Sequence, residues 1–230
     1  MVRINKALFE RLRALIRSGQ HTPEMLRREF DRFRSPGASG REGMHIGFDA
    51  LDTLVMGVFG LDACPEPTLE LTREMVHLEY TPVRAVLDLV DGVGLTENDL
   101  FYDLGSGLGQ VALLVRLLGR IGAVGVEREP AYCSFAHRCA HELNISEVAF
   151  VNADVRDADL SAGTVFYLYT PFSGQIFDEV MRKLRTLAEE RPIHVCSYGP
   201  CTPDVRTEPW LRDVNGHGGS EFKLAIFASR

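Results

Sequence analysis

No stretch of the 230 residues approaches the roughly 18 apolar positions that a membrane helix requires, although 45% of the chain is hydrophobic. The N-terminus offers no apolar secretory segment, because Arg11, Arg13 and Arg17 interrupt it, and a cytoplasmic location is expected. Cysteine is sparse and odd in number: Cys64, Cys133, Cys139, Cys196 and Cys201. Their scatter argues for reduced thiols rather than a disulfide framework. No pair has C-x-x-C spacing, so no metal site is expected. Internal repeats and low-complexity tracts are absent as well. What is left is the composition of a soluble enzyme, long enough for one domain of about 150 residues and a small accessory lobe.

Charge is unevenly spread. Residues 1–45 carry ten Lys or Arg against five Asp or Glu, while the rest carries fifteen against twenty-seven. The basic segment is arginine-rich, through Arg11, Arg13, Arg17, Arg27, Arg28, Arg32 and Arg34. Such a lobe either attracts an acidic partner such as nucleic acid or presents solvated helix faces paired with the acidic body. The second reading is preferred, since surface ion pairs are common and individually weak.

The chemistry is concentrated in FYDLGSGLGQ, residues 101–110. An apolar strand runs into Asp103, then Gly105, Gly107 and Gly109 alternate, and the apolar stretch 111–118 follows. That order reads as strand, tight turn and helix. The glycines permit a sharp turn and the approach of a ligand without a Cβ in the way, and amides at the helix start suit an anionic group. A dinucleotide fingerprint, G-x-G-x-x-G, would place its third glycine at Gln110. Here that glycine comes one residue earlier and an acid precedes the first by two. S-adenosylmethionine, with a sulfonium and an amino acid moiety but no pyrophosphate, fits this pattern better. The next strand, 121–126, ends in Glu127, placed to hold two ribose hydroxyls. A third, 148–151, leads to Asp154, placed for the adenine amino group, with the Val155 amide beside a ring nitrogen. The expected cofactor site is therefore Asp103, Gly105, Ser106, Gly107, Gly109 and Gln110, with Glu127, Arg128, Asp154 and Val155. Tyr80 and Thr81 are further candidates, for the methionine carboxylate. Thr81 could alternatively cap the helix that follows Pro82.

Residues 79–230 resemble the class I S-adenosylmethionine-dependent methyltransferases. Within them, LFYDLGSGLGQV (100–111), GVE (125–127) and EYTPVRAVLDLV (79–90) are most similar to the non-SET histone lysine methyltransferases, the disruptor-of-telomeric-silencing family. The resemblance implies an α/β, Rossmann-like fold with a seven-stranded, mostly parallel sheet closed by an antiparallel hairpin. It also implies a gating segment upstream of residue 82. At the fourth strand, members that methylate amines or amides usually carry Asn or Asp, then Pro or Ala, then an aromatic residue. This chain has Tyr169, Thr170, Pro171 and Phe172 there. Tyr169, Thr170 and Phe172 are accordingly the expected catalytic-pocket residues, with Thr170 in place of the usual anchor. Tyr167, on the same strand, is read as core.

Periodicity predicts an N-terminal helical lobe over 1–78 and the cofactor domain over 79–230. In the lobe, helices are expected over about 3–18, from Thr22 and Pro23 onward with Met25, Phe30 and Phe33 buried, and over 48–59 before Gly60. A mobile loop is expected near 34–46. A helix at 82–92 precedes the first strand, at about 99–103, and helices at 109–119, 130–144 and 174–190 separate the strands ending at residues 127, 152, 171 and 198. The tail reads as a hairpin, 210–215 and 221–229, with His217 exposed in its turn. The expected activity is methyl transfer to an N or O nucleophile of a protein or small-molecule acceptor. Aminopropyl transfer or nucleotide-dependent reduction on the same fold, and a binding module without catalysis, stay open at this point.

Overall fold

The computed structural model describes residues 4–34 and 48–230; the loop expected near 34–46 lies, beyond Arg34, outside them. Helix α1 (Lys6–Arg17) starts where the Asn5 side chain accepts from Leu8 N, and it buries Leu8, Leu12 and Ile16. Helix α2 (Pro23–Asp31) follows a Thr22 cap, as its Thr-Pro start predicts. That start sets the phase of the helix. Leu26, Phe30 and Phe33 turn inward at steps of four and three, whereas Met25 stays 40% exposed, which corrects its assignment to the core. Helix α3 (Ala50–Phe59) begins two residues later than expected, because Asp49 and Asp52 form a reciprocal capping box. It stops at Gly60 in the left-handed conformation (φ +69°), ahead of a single 3-10 turn, Leu61–Ala63.

The cofactor half alternates as expected. In chain order it comprises α4 (Val83–Gly92), β1 (Leu100–Leu104), α5 (Gln110–Gly119), β2 (Gly122–Glu127), α6 (Pro130–Glu142), β3 (Val148–Asn152), β4 (Val165–Tyr169), α7 (Gly174–Glu190) and β5 (His194–Tyr198). A short helix, α8 (Thr202–Arg206), was not anticipated, since five residues are too few to show a period. The chain closes with β6 (Leu211–Asp213) and β7 (Ala225–Ser229). Both are shorter than the sequence pattern suggests. Asn215 explains this, because its side chain donates to Leu224 O and accepts from Ile226 N, holding the intervening residues as a turn. His217 sits in that turn half-buried, with Nδ1 against Leu224 O, rather than exposed.

The seven strands lie in the order β3-β2-β1-β4-β5-β7-β6. The first five are parallel, and β7 runs antiparallel to both β5 and β6. Parallel strands covered on both faces are apolar throughout, and Phe101, Phe166 and Tyr167 are fully buried. The helical lobe does not stand apart: Leu12, Leu26, Leu51 and Leu54 share one cluster with Leu89, Leu113 and Leu117. Each such leucine contributes about 1.5–3 kcal/mol of burial. Ion pairs then rim the seam, Arg13 with Glu142 (3.0 Å), Arg27 with Asp91 (2.8 Å) and Arg34 with Asp88 (3.4 Å). Arg11 and Arg32 share Glu29 within the lobe. Five of the seven highlighted arginines thus have acidic partners, as solvated, paired faces require. Among the described residues no helix is long and apolar enough to cross a membrane.

Candidate functional site

A cavity of about 490 Å³ opens at the carboxyl ends of β1, β2 and β4, where an open parallel sheet leaves room for a ligand. Every sequence-selected site residue except Gly109 lines it. Gly109 lies behind the wall, where a Cβ would meet the Phe150 ring at 2.6 Å. Among the described residues, no group of three or more His, Cys, Asp or Glu is placed to hold a metal ion.

The β1–α5 loop turns through three left-handed glycines, Gly105 (φ +86°), Gly107 (+52°) and Gly109 (+81°). Sequence reasoning assigned this freedom to an approaching ligand. In the structure the space is taken by protein: a Cβ on Gly105 would stand 2.3 Å from Pro171 Cβ, and one on Gly107 2.4 Å from Leu78 Cδ1. The amides are also engaged. Gly105 N and Ser106 N donate to Val126 O, Gly107 N to Glu127 Oε2, and Gly109 N to Ser106 O. These four loop amides are therefore engaged within the protein, and the amides expected to suit an anion are those farther on, where α5 begins at Gln110. Ser106 Oγ, by contrast, is buried with no hydrogen-bond partner among the described residues.

Two acids form the floor. Asp103 is 3% exposed, and its pKa is pushed up to about 8 by burial and then by the charge of Glu127. Glu127 is likewise raised, chiefly by burial, although its oxygens accept from Gly107 N and Glu129 N, both at 2.7 Å. The charges acting on this pair are themselves acidic, Glu127 on Asp103 and Glu129 on Glu127. Asp154 is different. Arg156 grips it through two bonds of 2.9 and 2.8 Å, which hold its carboxyl below the ordinary value. Val155 is buried beside it.

The remaining cofactor candidates are tied into the frame. Thr81 does not cap α4. Its hydroxyl pairs with the Tyr167 phenol at 2.9 Å, and its carbonyl accepts from Gln110 Nε2 at 3.2 Å. Tyr80 donates its phenol proton to Leu61 O (3.1 Å), and burial raises its pKa to about 12. Arg128 reaches away from the floor to Glu70 O and Met75 Sδ.

At the end of β4, Tyr169 packs edge-on against Tyr198 with centroids 5.2 Å apart. Burial raises its phenol, and the Glu79 carboxylate beside it adds to the effect. Thr170 adopts φ +42°, a strained region for a β-branched residue. Its Oγ1 accepts from Cys201 N at 3.0 Å, and its own N donates to Cys201 Sγ at 3.4 Å. Its side chain is thus tied to the turn before α8. Phe172 is buried and pairs through its backbone with Met75.

Sequence reasoning missed how residues 67–78 cross the cavity. Glu129 accepts from Thr68 N, Thr68 Oγ1 and Leu69 N, and it also caps α6 through Ala131 N. Burial opposes its ionisation, but these donors prevail and its pKa lies below the ordinary value. Farther along, Glu74 Oε1 accepts from Gln175 N and Glu74 O from Ser173 N, serving the start of α7. A Glu preceding Pro130 was the available cue, but it reveals a cap and not the distant strap.

Strand order and cavity together define a Rossmann-like methyltransferase fold. Residues 75–166 match the family model described as histone methylation protein DOT1, and over that segment the chain resembles this family. No curated protein matches the chain. Among solved structures, an RNA methyltransferase from Salinibacter ruber in complex with S-adenosyl-L-homocysteine is 26% identical, over 66% of this chain and 92% of its own, with a TM-score of 0.46. A precorrin-6y C5,15-methyltransferase from Geobacter metallireducens is 15% identical over 71% and 94%, with a TM-score of 0.47. A ribosomal protein L11 methylase from Lactobacillus delbrueckii is 14% identical over 64% and 77%, also at 0.47. At TM-scores below 0.5 none of these informs on the reaction.

Proposed function

We propose that the chain is an S-adenosylmethionine-dependent methyltransferase acting on an N or O nucleophile of a protein or small-molecule acceptor, with residues 1–78 as a lobe over the cofactor domain. The observation that carries this reading is the Asp103–Glu127 floor. Asp103, buried, and Glu127, half-buried, have acidic charged neighbours and suit a ligand that brings its own positive charge, which a pyrophosphate cofactor does not. The unpartnered Ser106 Oγ supports it as a waiting polar contact.

Bound adenosylmethionine would supply an electrophilic methyl on a sulfonium leaving group, so the protein's task is to hold and orient. Asp103 takes the ligand's amino group, and Glu127 the ribose hydroxyls through the lone pairs its two amide donors leave free. Asp154 stays ionised beside Arg156 and accepts from the adenine amino group, with Val155 against the ring. Tyr169 and Phe172 wall the acceptor slot and keep water from it, which favours a neutral nucleophile over its charged form. Thr170 shapes the slot from its end.

Calorimetric titration with adenosylhomocysteine, adenosylmethionine and NADH tests the cofactor. Micromolar binding of the first two alone is expected, and NADH binding in their place would sink the reading. The tie between Thr170 Oγ1 and Cys201 N favours one rival, a binding module without turnover. Transfer of labelled methyl groups to any acceptor in a protein and small-molecule panel excludes that rival.

A further inference from the structure

Helix α4 has no side-chain cap of its own. Pro82 occupies the cap position, and Val83 supplies the first free amide. That amide is satisfied from 31 residues away: Asp52, in the lobe helix α3, accepts it on Oδ1 at 2.8 Å. The other oxygen, Oδ2, accepts from Asp49 N at 2.7 Å, so one carboxylate closes the α3 capping box and starts α4 as well. Asp52 is 4% exposed. Burial pushes its carboxyl up to about 6, while the Val83 and Asp49 amides pull it down. A second lobe contact lies three residues upstream of Val83, where Tyr80 donates to Leu61 O in the 3-10 turn. Between the two, Thr81 is fastened to the sheet side through Gln110 and Tyr167. Tyr80 and Thr81 both line the cavity.

We propose that Asp52 is a positioning residue for the cofactor site: with the Leu61 carbonyl, it makes the helical lobe the template for the Tyr80–Val83 lip. The inference rests on the cofactor reading above. It assigns the lobe a role in affinity and not only in packing. Losing Asp52 leaves Val83 N unpaired in a buried place, and the lip is then held by the sheet side and Tyr80 alone.

The test compares full-length wild type with Asp52→Ala and Asp52→Asn, measuring adenosylhomocysteine affinity by calorimetry and unfolding by circular dichroism. Asp52→Ala is expected to weaken binding about tenfold or more at a temperature where it is fully folded. Asp52→Asn, whose amide oxygen can still accept from Val83 N while its NH2 turns to Asp49 N, is expected to recover part of that loss. A merely structural role predicts a lower unfolding midpoint with affinity within about twofold of wild type, and that result overturns the proposal. Should Asp52→Ala not fold, Tyr80→Phe carries the test, and unchanged affinity there overturns it equally. Wild type that fails to bind sinks the cofactor reading and this inference with it. Wild-type binding that Asp52→Ala retains sinks this inference alone.

Discussion

The lobe seam and the cavity floor handle charge in opposite ways. Along the seam, Arg13, Arg27 and Arg34 each meet a carboxylate on the cofactor half, at the surface and within 3.4 Å. On the floor, Asp103 is buried and Glu127 half-buried, and the leading charges on them are acidic, Glu127 on Asp103 and Glu129 on Glu127. Exposed pairs are worth little, about 0–1 kcal/mol each, and the apolar contacts beneath them carry the attachment. Buried like charges cost stability unless something positive arrives. The contrast separates a region built to stay together from one built to receive.

The comparison can be broken most decisively at the glycine loop. Gly105→Val adds left-handed strain of about 1–2 kcal/mol to a clash with Pro171 worth about 1–3 more, and cofactor binding is expected to vanish. Gly216→Val has a similar φ but nothing among the described residues within 4 Å of its Cβ, so only the strain is expected. Thermal midpoints that fall equally in both variants would refute the packing argument.

Asp103→Asn comes next. Adenosylhomocysteine affinity should fall about 100-fold, close to 2.7 kcal/mol. Stability should move the other way. A carboxyl raised to about 8 binds more protons folded than unfolded above its ordinary range. The wild type without ligand therefore loses stability as pH rises from about 4 to about 8. The Asn variant lacks that slope, so its midpoint at pH 8 should equal or exceed that of wild type. A lower midpoint there would show that the floor is not strained.

A gentler probe leaves the sequence alone. At pH 7 Asp103 is largely protonated, and a cationic ligand should draw it into the ionised form, releasing up to about one proton. Titrating adenosylmethionine in phosphate and in Tris reads this as a buffer-dependent heat, and equal heats would count against the floor's role. Smallest of all, Arg27→Ala should shift stability by no more than about 1 kcal/mol and leave affinity untouched.

Local signals carried much of this into the sequence. Asp103 and Glu127 could be placed because an apolar strand ends at each, and Asp154 because it follows one closely. The bonds that shape the site were hidden by distance. Asp52 meets Val83 across 31 residues, Thr68 meets Glu129 across 61, and Arg13 meets Glu142 across 129. No periodicity reports such partners. Thr170 was legible as a departure from the family pattern, but its bond to Cys201 depends on β4 and β5 lying side by side. Asp154 and Arg156 are only two residues apart, and their pairing could have been suspected from the Asp-Val-Arg order.

The contact between Gly105 and Pro171 has a consequence for how such a chain can change over generations. The β1–α5 loop and the segment after β4 meet where a single methyl group would not fit. A larger residue at 105 needs both a smaller partner at 171 and relief of a backbone angle of +86°, and neither change helps alone. On the proposed function, acceptor preference drifts through Tyr169, Thr170 and Phe172 while Pro171 and Gly105 are held to each other as a pair.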